Sequence, residues 1–395
     1  MNAIPLGFVG GAAPAMIGPV HQRAALLDRR FAIVAGAFSG HPGKAAAAAA
    51  EYGVAADRSY ASAEAMFASE AQRPDGIAAV TIVTPNDSHG RLACAAAAAG
   101  LHVMLEKPLA NSMREADDIA RAVAARNTIL CLAHAYSGYP MIREARAQVA
   151  AGALGALRMV QVEYFGAGLA SFVEAQTDAP RRWRLDPATS GPSLVLGDIG
   201  SHAFHLACYV AGEAAVRLSA ELATLQPGRL VQDYAQLRFR LEGGARGTLV
   251  ASQAAAGAEN HILLRLWGER GHLEWRHDRH GELRLAPLDG FPQTLTRQHP
   301  LLSPAALAAG RQRRGHPEGL HEAFANLYQD FAELILARRQ GIAPPAHALS
   351  VPGLADGLAG MRMIGAALES QAQDGAWVNL ASASCRAEPP CLSQR

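Results

Sequence analysis

The first third of the chain alternates short apolar runs with helix-forming stretches, and this alternation restricts the possible folds more than any other feature. The apolar runs lie at residues 4–9, 31–37, 78–83, 101–105 and 129–133. Predicted helices separate them, at residues 19–28, 44–52, 90–99 and 112–126. Such a pattern is typical of parallel βαβ units whose sheet is covered on both faces. We therefore predict an α/β domain over residues 1–134.

The pattern changes after about residue 155. Most of the predicted strands are now longer, and many alternate apolar with polar residues, at 158–165, 216–225, 235–241, 246–253, 261–267 and 272–275. Late helices at 319–337 and 351–369 and a last strand at 377–380 follow. Alternation indicates a large, mainly antiparallel open sheet with one exposed face. We predict a C-terminal α/β domain over residues 135–381 and a disordered tail over 382–395.

Composition excludes several classes of function. The 395 residues carry a formal net charge of +1, so no basic surplus is present to neutralise nucleic-acid phosphates. No apolar run is long enough to cross a membrane. The five cysteines are scattered and form no C-x-x-C pair, which argues against a metal site and favours a reducing compartment. The sequence therefore predicts a cytoplasmic protein without a metal.

A glycine-rich turn follows the first predicted strand. Because the carboxyl ends of parallel strands share one edge of a sheet, this turn is expected beside the other strand ends. Its glycines would let the backbone approach a pyrophosphate, although Gly10 to Gly18 is three residues longer than G-x-G-x-x-G and an alanine takes the middle position. A glycine turn without a ligand is the alternative. The candidate cofactor-binding residues are Gly10, Gly11, Ala12, Ile17 and Gly18. The turn and the βαβ series together predict a Rossmann fold.

The end of the second strand carries no acidic residue for the ribose hydroxyls of NAD. Ser39 and Lys44 could instead contact a 2′-phosphate, so the cofactor is NAD or NADP with a slight preference for NADP. The alternative is that neither residue touches the cofactor.

Polar residues also follow the third strand. Asn86 and His89 are candidates for contacts with nicotinamide or substrate, together with Thr84 and Pro85. Asn86 could equally cap the helix that follows.

Glu106-Lys107-Pro108 ends the fourth strand, and Glu106 and Lys107 are further candidates for contacts with the cofactor. A proline fixes the backbone beside Lys107, which argues against a freely solvated lysine, and an ammonium near a cofactor can polarise a hydroxyl or carbonyl.

About ninety residues later, Asp198 and His202 stand four apart. If residues 196–210 are helical, the two share one face and could form an acid–base pair, or simply lie in the core.

Taken together, these segments resemble the Gfo/Idh/MocA oxidoreductases, the glucose–fructose oxidoreductase and inositol dehydrogenase family. The resemblance spans residues 4–381 and rests on Glu106-Lys107-Pro108, Thr84-Pro85-Asn86 with His89, Trp183-Arg184, and Gly197-Asp198-Ile199-Gly200-Ser201-His202. It implies a Rossmann domain that binds NAD(P) and a C-terminal domain whose open sheet supports the site and forms a homo-oligomer, a dimer or tetramer.

The resemblance also implies a catalytic set. Lys107, in a cis bond to its proline, would hydrogen-bond the reacting oxygen and help to lower its pKa. Asp198 would orient the substrate or the lysine, and His202 would take the proton of a secondary alcohol of a sugar, glycoside or cyclitol. The expected substrate-binding residues are Lys107, Trp183, Arg184, Asp198, His202 and His205. His205 stands where the family often has Asp, which would alter substrate contacts.

Two other functions stay open at this point. One is a glycosidase that uses NAD transiently to eliminate an aglycone. The other is a non-catalytic regulator that binds a dinucleotide and a partner protein.

Overall fold

The computed structural model describes residues 3–172 and 182–380. The tail predicted over residues 382–395, with Cys385 and Cys391, lies outside them.

The N-terminal sheet has five parallel strands in the order β2-β1-β3-β4-β5. The strands are β1 (Ile4–Gly10), β2 (Phe31–Ala37), β3 (Ala79–Val83), β4 (His102–Leu105) and β5 (Leu130–Leu132). Their helices are α1 (Ile17–Leu27), α2 (Pro42–Tyr52), α3 (Ala63–Glu70), α4 (His89–Ala98) and α5 (Met113–Arg126). This Rossmann fold confirms the prediction, and only α3 was not expected.

The direction of strand addition reverses at β1, which lies between β2 and β3. In open parallel sheets the loops on either side of such a reversal leave a crevice at the carboxyl ends of the strands. The turns after β1 and β3 therefore lie at the position where a dinucleotide is expected.

The second sheet has nine strands in the order β13-β12-β11-β10-β6-β9-β8-β7-β14, and only the β6–β9 pair is parallel. Its strands are β6 (Leu157–Phe165), β7 (Ala215–Ala223), β8 (Tyr234–Leu241), β9 (Arg246–Ser252), β10 (His261–Gly268), β11 (Gly271–Arg276), β12 (Glu282–Pro287), β13 (Gln293–Thr296) and β14 (Val378–Asn379). The mainly antiparallel sheet is confirmed, and β12 and β13 extend it beyond the predicted strands. Strand β13 is half exposed and three of its four residues are polar, so it gives little apolar signal.

Six helices accompany this sheet in the described part of the chain. They are α6 (Pro140–Ala150), α7 (Pro187–Ser190), α8 (Ser201–Ala211), α9 (Pro304–Ala308), α10 (Leu320–Gln340) and α11 (Leu354–Ala372). Helix α6 was not predicted; its first six residues are all buried, including the charged Arg143 and Glu144.

The predicted single helix over residues 196–210 is wrong in one respect. Leu196–Gly200 forms a π-helical turn, and α8 begins only at Ser201. A π-turn inserts extra backbone into a helix and often occurs at functional sites. It changes the relative orientation that α-helical spacing would give Asp198 and His202.

Helix α10 comes late in the chain but packs on the N-terminal domain, against α1 and β2. Phe31 and Phe331 stack with ring centroids 5.6 Å apart, and Tyr328 meets Phe31 edge-on at 5.7 Å. A buried ion pair joins α10 to α6, with Arg143 Nη2 2.6 Å from Asp330 Oδ2. Helix α10 therefore packs on the N-terminal domain and is also joined to α6 of the C-terminal domain.

We expect Asp330→Ala to destabilise the protein by about 3–5 kcal/mol, because it leaves the guanidinium of Arg143 buried and unpaired. Both side chains are at most 3% exposed. Chemical denaturation measures the loss. Asp118→Ala is the matched control, since Asp118 pairs with Arg121 on the surface and should cost less than about 1 kcal/mol. Equal losses in the two variants would contradict the assignment.

Candidate active site

A cleft of about 490 Å³ lies between the two sheets, at the carboxyl ends of the N-terminal strands. Sequence-predicted residues that line it are Ile17, Thr84, Asn86, Glu106, Lys107, Trp183, Arg184, Asp198 and His202. Residues that sequence reasoning missed also line it, among them Tyr136, Tyr164, Gln253, Asn260 and Phe324. The fold therefore brings half of the predicted set, including Lys107, Asp198 and His202, to one place.

The glycine turn fits a pyrophosphate in spite of its extra residues. Gly10 and Gly11 have φ values of 83° and 85°, which favour glycine. A Cβ on Gly18 would lie 2.5 Å from Gly11 Cα, so the start of α1 can approach the end of β1 only because Gly18 is a glycine. Ala12 lies within the turn and needs no such freedom. The first turn of α1 contains no acidic residue, which leaves its amide end favourable for an anion.

Ser39 follows the end of β2, and Lys44 lies in the first turn of α2. Ser39 Oγ accepts a hydrogen bond from the amide of His41 at 3.1 Å. Lys44 is exposed in the first turn of α2 and makes no hydrogen bond or ion pair with the described residues. Its ammonium is therefore not held by another described side chain.

Asn86 connects the two domains instead of capping α4. Its amide nitrogen donates to the carbonyl of Ser190 at 3.0 Å. His89 is fully buried, with ring nitrogens 2.8 Å from the carbonyl oxygen of Pro108 and 3.0 Å from that of Thr84. Burial lowers the pKa of His89, although the two carbonyls act in the opposite direction. His89 therefore links the segments that follow β3 and β4, and both of its ring nitrogens are used in these contacts and do not face the cleft.

Hydrogen bonds of the Glu106 carboxylate fix the end of β4. Its Oε1 is 2.8 Å from Nε2 of His21 on α1, and Oε2 accepts the backbone N–H of Lys107 at 3.1 Å. His21 continues to the hydroxyl of Tyr328 at 2.7 Å. Burial alone would raise the pKa of Glu106, but the hydrogen bond and charge of His21 and the charge of Lys107 hold it below its usual value. Glu106 is therefore a buried carboxylate.

Lys107 and Asp198 form the central contact of the cleft. Lys107 Nζ donates to Asp198 Oδ1 at 2.8 Å and to the Asp198 carbonyl at 2.6 Å. The Lys107–Pro108 bond is cis, as the resemblance implied. Burial would raise the pKa of Asp198, but the charges of Lys107 and Arg184 outweigh it and hold that pKa well below its usual range.

The second carboxylate oxygen of Asp198 is also occupied. Gln253, at the end of β9, donates from Nε2 at 2.5 Å, and Arg184 Nη1 lies 3.3 Å away. The Arg184 guanidinium also lies over the Trp183 ring, 5.3 Å from its centre. The carboxylate of Asp198 therefore holds both Lys107 and Arg184 in position.

His202 does not hydrogen-bond to Asp198. Its Nδ1 lies 3.4 Å from Nδ1 of His134, which follows β5. Burial and the charge of Lys107 lower the pKa of His202 well below its usual value, against the opposing charge of Asp198. His202 is thus a neutral imidazole at neutral pH, as a general base must be.

His205, expected to bind substrate, does not line the cleft. It lies behind His202 with its ring stacked on His134, 4.2 Å between centroids and 3° between planes. Its Nε2 is 3.4 Å from Asp356 on α11. A role in direct substrate contact has no support in this placement.

The far wall of the cleft is a hydrogen-bonded group of Tyr136, Tyr164 and Asn260. The two hydroxyls are 2.7 Å apart, and Tyr164 donates to Asn260 Oδ1 at 2.6 Å. Burial raises the pKa of both tyrosines. Aromatic faces and neutral hydroxyls next to charged groups suit an uncharged, hydroxyl-rich ligand.

Two sequence models of known families match the chain. The NAD-binding Rossmann-fold domain of an oxidoreductase family matches residues 5–134, and the GFO/IDH/MocA C-terminal domain matches residues 142–274. The uncharacterised oxidoreductase YfiI of Bacillus subtilis is 33% identical over 375 residues, which cover 94% of this chain and 95% of that protein.

The chain belongs to the Gfo/Idh/MocA oxidoreductase family.

Solved structures of family members are similar along almost the whole chain. An inositol dehydrogenase homologue from Azotobacter vinelandii, complexed with NAD+, is 36% identical with a TM-score of 0.90, covering 96% of this chain and 97% of that one. A levoglucosan dehydrogenase complexed with NADH and levoglucosan is 25% identical with a TM-score of 0.80, covering 96% and 100%. This member of the family is accordingly a dehydrogenase with an NAD-binding Rossmann fold, of the kind that acts on CH–OH groups.

No described helix of this family member combines the length and apolar character that a membrane span requires.

We expect the stability that Asp198 provides to disappear in acid. Its folded pKa lies below the ordinary value, so the contribution is complete above about pH 5 and is lost as pH falls through about 4 and below. In Asp198→Asn, Lys107 and Arg184 lose their counter-charge. The melting temperature of the variant should therefore be lower than that of the wild type at pH 7, and the gap should begin to narrow only as the pH falls below about 4. A gap that stays constant with pH would show that the carboxylate charge is not the cause.

Proposed function

We propose that this protein is an NAD(P)-dependent dehydrogenase that transfers hydride between the nicotinamide and a secondary hydroxyl or ketone of a sugar, glycoside or cyclitol. The observation that supports it most is the single cleft in which Lys107, Asp198 and His202 meet beside a turn that fits a dinucleotide. Relatives whose names state inositol and levoglucosan dehydrogenase activity agree with this class of substrate.

The cofactor would lie along the crevice at the ends of β1 and β3. Gly10, Gly11 and Gly18 would hold its pyrophosphate, with Thr84 and Asn86 nearer the nicotinamide. When bound, the nicotinamide supplies the hydride chemistry.

Lys107 would donate a hydrogen bond to the reacting oxygen and stabilise its developing negative charge. Asp198 keeps the lysine directed into the cleft through two contacts with Nζ, at 2.6 and 2.8 Å. His202 would take the hydroxyl proton in oxidation and return it in reduction. Positioning and preorganised charge are the contributions of the protein.

The polar groups of the cleft favour a neutral polyol over a charged substrate. Lys107 and Arg184 already share the carboxylate of Asp198, and the Tyr136, Tyr164 and Asn260 group offers neutral polar atoms. Trp183 could cover a sugar ring with its apolar face.

We further propose that the protein acts in the cytoplasm as a homo-oligomer, a dimer or tetramer, through the open face of the nine-stranded sheet. That face carries both polar and apolar side chains, including the 49% exposed Met159. The domain bounds 1–134 and 135–381 remain predictions of the same kind.

Purified protein, incubated with NAD+ or NADP+ and a panel of polyols, tests the main proposal. We expect absorbance of the reduced nicotinamide to rise with at least one cyclitol or sugar, and calorimetry to detect cofactor binding. Absence of both would refute the proposal. Release of a chromogenic aglycone without net reduction would indicate the glycosidase, and binding without any turnover the regulator.

We expect Lys107→Met to lower kcat/KM about 10²–10³-fold, because the developing oxyanion loses its charged donor. Lys107→Arg keeps the charge and should lose less. Steady-state kinetics at saturating cofactor measures both. Arg158→Met is the control, since Arg158 is 66% exposed and lies far along β6 from the strand end at the cleft. Activity of Lys107→Met close to that of the control would contradict the role of the lysine.

For the cofactor we propose a preference for NADP, through Ser39 and Lys44 at the 2′-phosphate. Lys44→Ala should weaken NADP+ binding by roughly two- to fivefold and leave NAD+ binding nearly unchanged. Titration calorimetry with both cofactors measures the difference. Equal effects on the two cofactors, or tighter binding of NAD+ by the wild type, would contradict the preference.

A further inference from the structure

His134 is a buried histidine that touches the proposed general base. It lies two residues after the end of β5 and is 2% exposed. Its Nδ1 is 3.4 Å from Nδ1 of His202, and its ring is stacked on His205. The stacking fixes the plane of the His134 ring, and therefore the direction of its contact with His202.

Two Nδ1 atoms that face each other must take opposite roles. A neutral imidazole has one N–H and one lone pair, so one histidine donates from Nδ1 and the other accepts. If His202 donates, its Nε2 carries the lone pair and can take a proton. If His134 donates, Nε2 of His202 carries the hydrogen and cannot act as a base.

No carboxylate in the described part of the chain hydrogen-bonds to His202 to make this choice. A histidine base is commonly oriented by a carboxylate at its second nitrogen. Here the oxygens of Asp198 are occupied by Lys107 and Gln253, with Arg184 beside them. Among the described residues, His134 is the side chain that hydrogen-bonds to His202.

His134 is able to accept a hydrogen bond at neutral pH. Burial lowers its pKa well below the usual value, and the charges of His205, His202 and Lys107 act in the same direction. A neutral His134 keeps a lone pair for its neighbour.

We propose that His134 is a positioning residue that accepts the Nδ1–H of His202 and so presents an Nε2 lone pair to the substrate. The proposal rests on the proposed function, in which His202 removes the proton of a secondary alcohol. In that step the O–H bond breaks and its proton bonds to Nε2, while hydride leaves the carbinol carbon for the nicotinamide and a carbonyl forms. His202 then carries N–H at both nitrogens, and Nδ1–H still donates to His134. Reduction reverses each transfer.

Several titratable or charged groups surround His202 and enter any pH profile. They are Lys107 from the end of β4, His134 and Tyr136 from the segment after β5, Tyr164 from β6, Asp198 from the π-turn and His205 from α8. Within residues 3–172 and 182–380, only His134 hydrogen-bonds to a ring nitrogen of His202, so a tautomer change isolates its role from the others.

The decisive experiment is nitrogen NMR of the full-length protein labelled with ¹⁵N-histidine, without substrate. Ring-nitrogen shifts distinguish the two tautomers, and loss of a signal in His202→Gln assigns His202. We expect the Nδ1–H tautomer in the wild type and its loss in His134→Leu. His134→Asp, whose ionised carboxylate can only accept, should retain it. An Nε2–H tautomer in the wild type, or an unchanged tautomer in His134→Leu, would overturn the proposal.

Kinetics with an active polyol gives a second readout. His134→Leu should lower kcat about 10²-fold or more, with a smaller change in KM, because His202 is no longer held as a base. His134→Asp should recover much of the rate and move the acid limb of kcat to higher pH, since a neighbouring carboxylate raises the pKa of His202. Equal rates and identical pH profiles in the two variants would contradict the positioning role.

The two arms separate the failure of this inference from the failure of the proposed function. If no polyol is oxidised, the NMR result still decides whether His134 sets the tautomer of His202. If His134→Leu does not fold, as judged by its melting temperature and cofactor binding, His134→Asp alone decides. An Nδ1–H tautomer in that variant supports the inference and an Nε2–H tautomer refutes it.

Discussion

The ion pair between Lys107 and Asp198 is the contact on which the geometry of the site depends. Lys107 ends a strand of the first sheet and Asp198 belongs to the π-turn that precedes α8, so the pair joins the two domains across the cleft. Both side chains are less than one-sixth exposed. Separating the domains would leave Lys107 and Asp198 either exposed to water or buried without a partner, and a buried unpaired charge is costly. The interaction that directs the lysine therefore also keeps the cleft assembled.

The same strand end is anchored from the opposite side. Glu106 accepts from the backbone amide of Lys107 and from His21, and His21 continues to Tyr328 on α10. Helix α1 carries both Gly18, at the proposed pyrophosphate site, and His21, one turn later. The backbone that positions Lys107 is thus connected to the element that would bind the cofactor. A site supported by regular elements on both sides needs little reorganisation during reaction.

Much of this arrangement could be predicted from the sequence, for identifiable reasons. Buried parallel strands give continuous apolar runs, so β1 to β5 were visible, and the shared edge of a parallel sheet led to Asn86 and Lys107. His134 follows β5 at that edge and could have been found by the same rule. Gln253 and Asn260 could not, because strand ends in the second sheet share no single edge. The relation of Asp198 to His202 was misjudged because helical spacing does not anticipate a π-turn.

The loss of that expected Asp–His pair explains the division of roles in the cleft. Asp198 is shared between two cations and an amide, so its charge stabilises Lys107 and Arg184, and His202 is left with a neutral neighbour. Burial and the charge of Lys107 keep the pKa of His202 low, and a neutral histidine at Nδ1 opposes them less than a hydrogen-bonded carboxylate would. In the proposed reaction, a weak base such as His202 would take the hydroxyl proton only as the Lys107 ammonium stabilises the oxygen that loses this proton. It would also return the proton readily, as reversible transfer between an alcohol and a ketone requires.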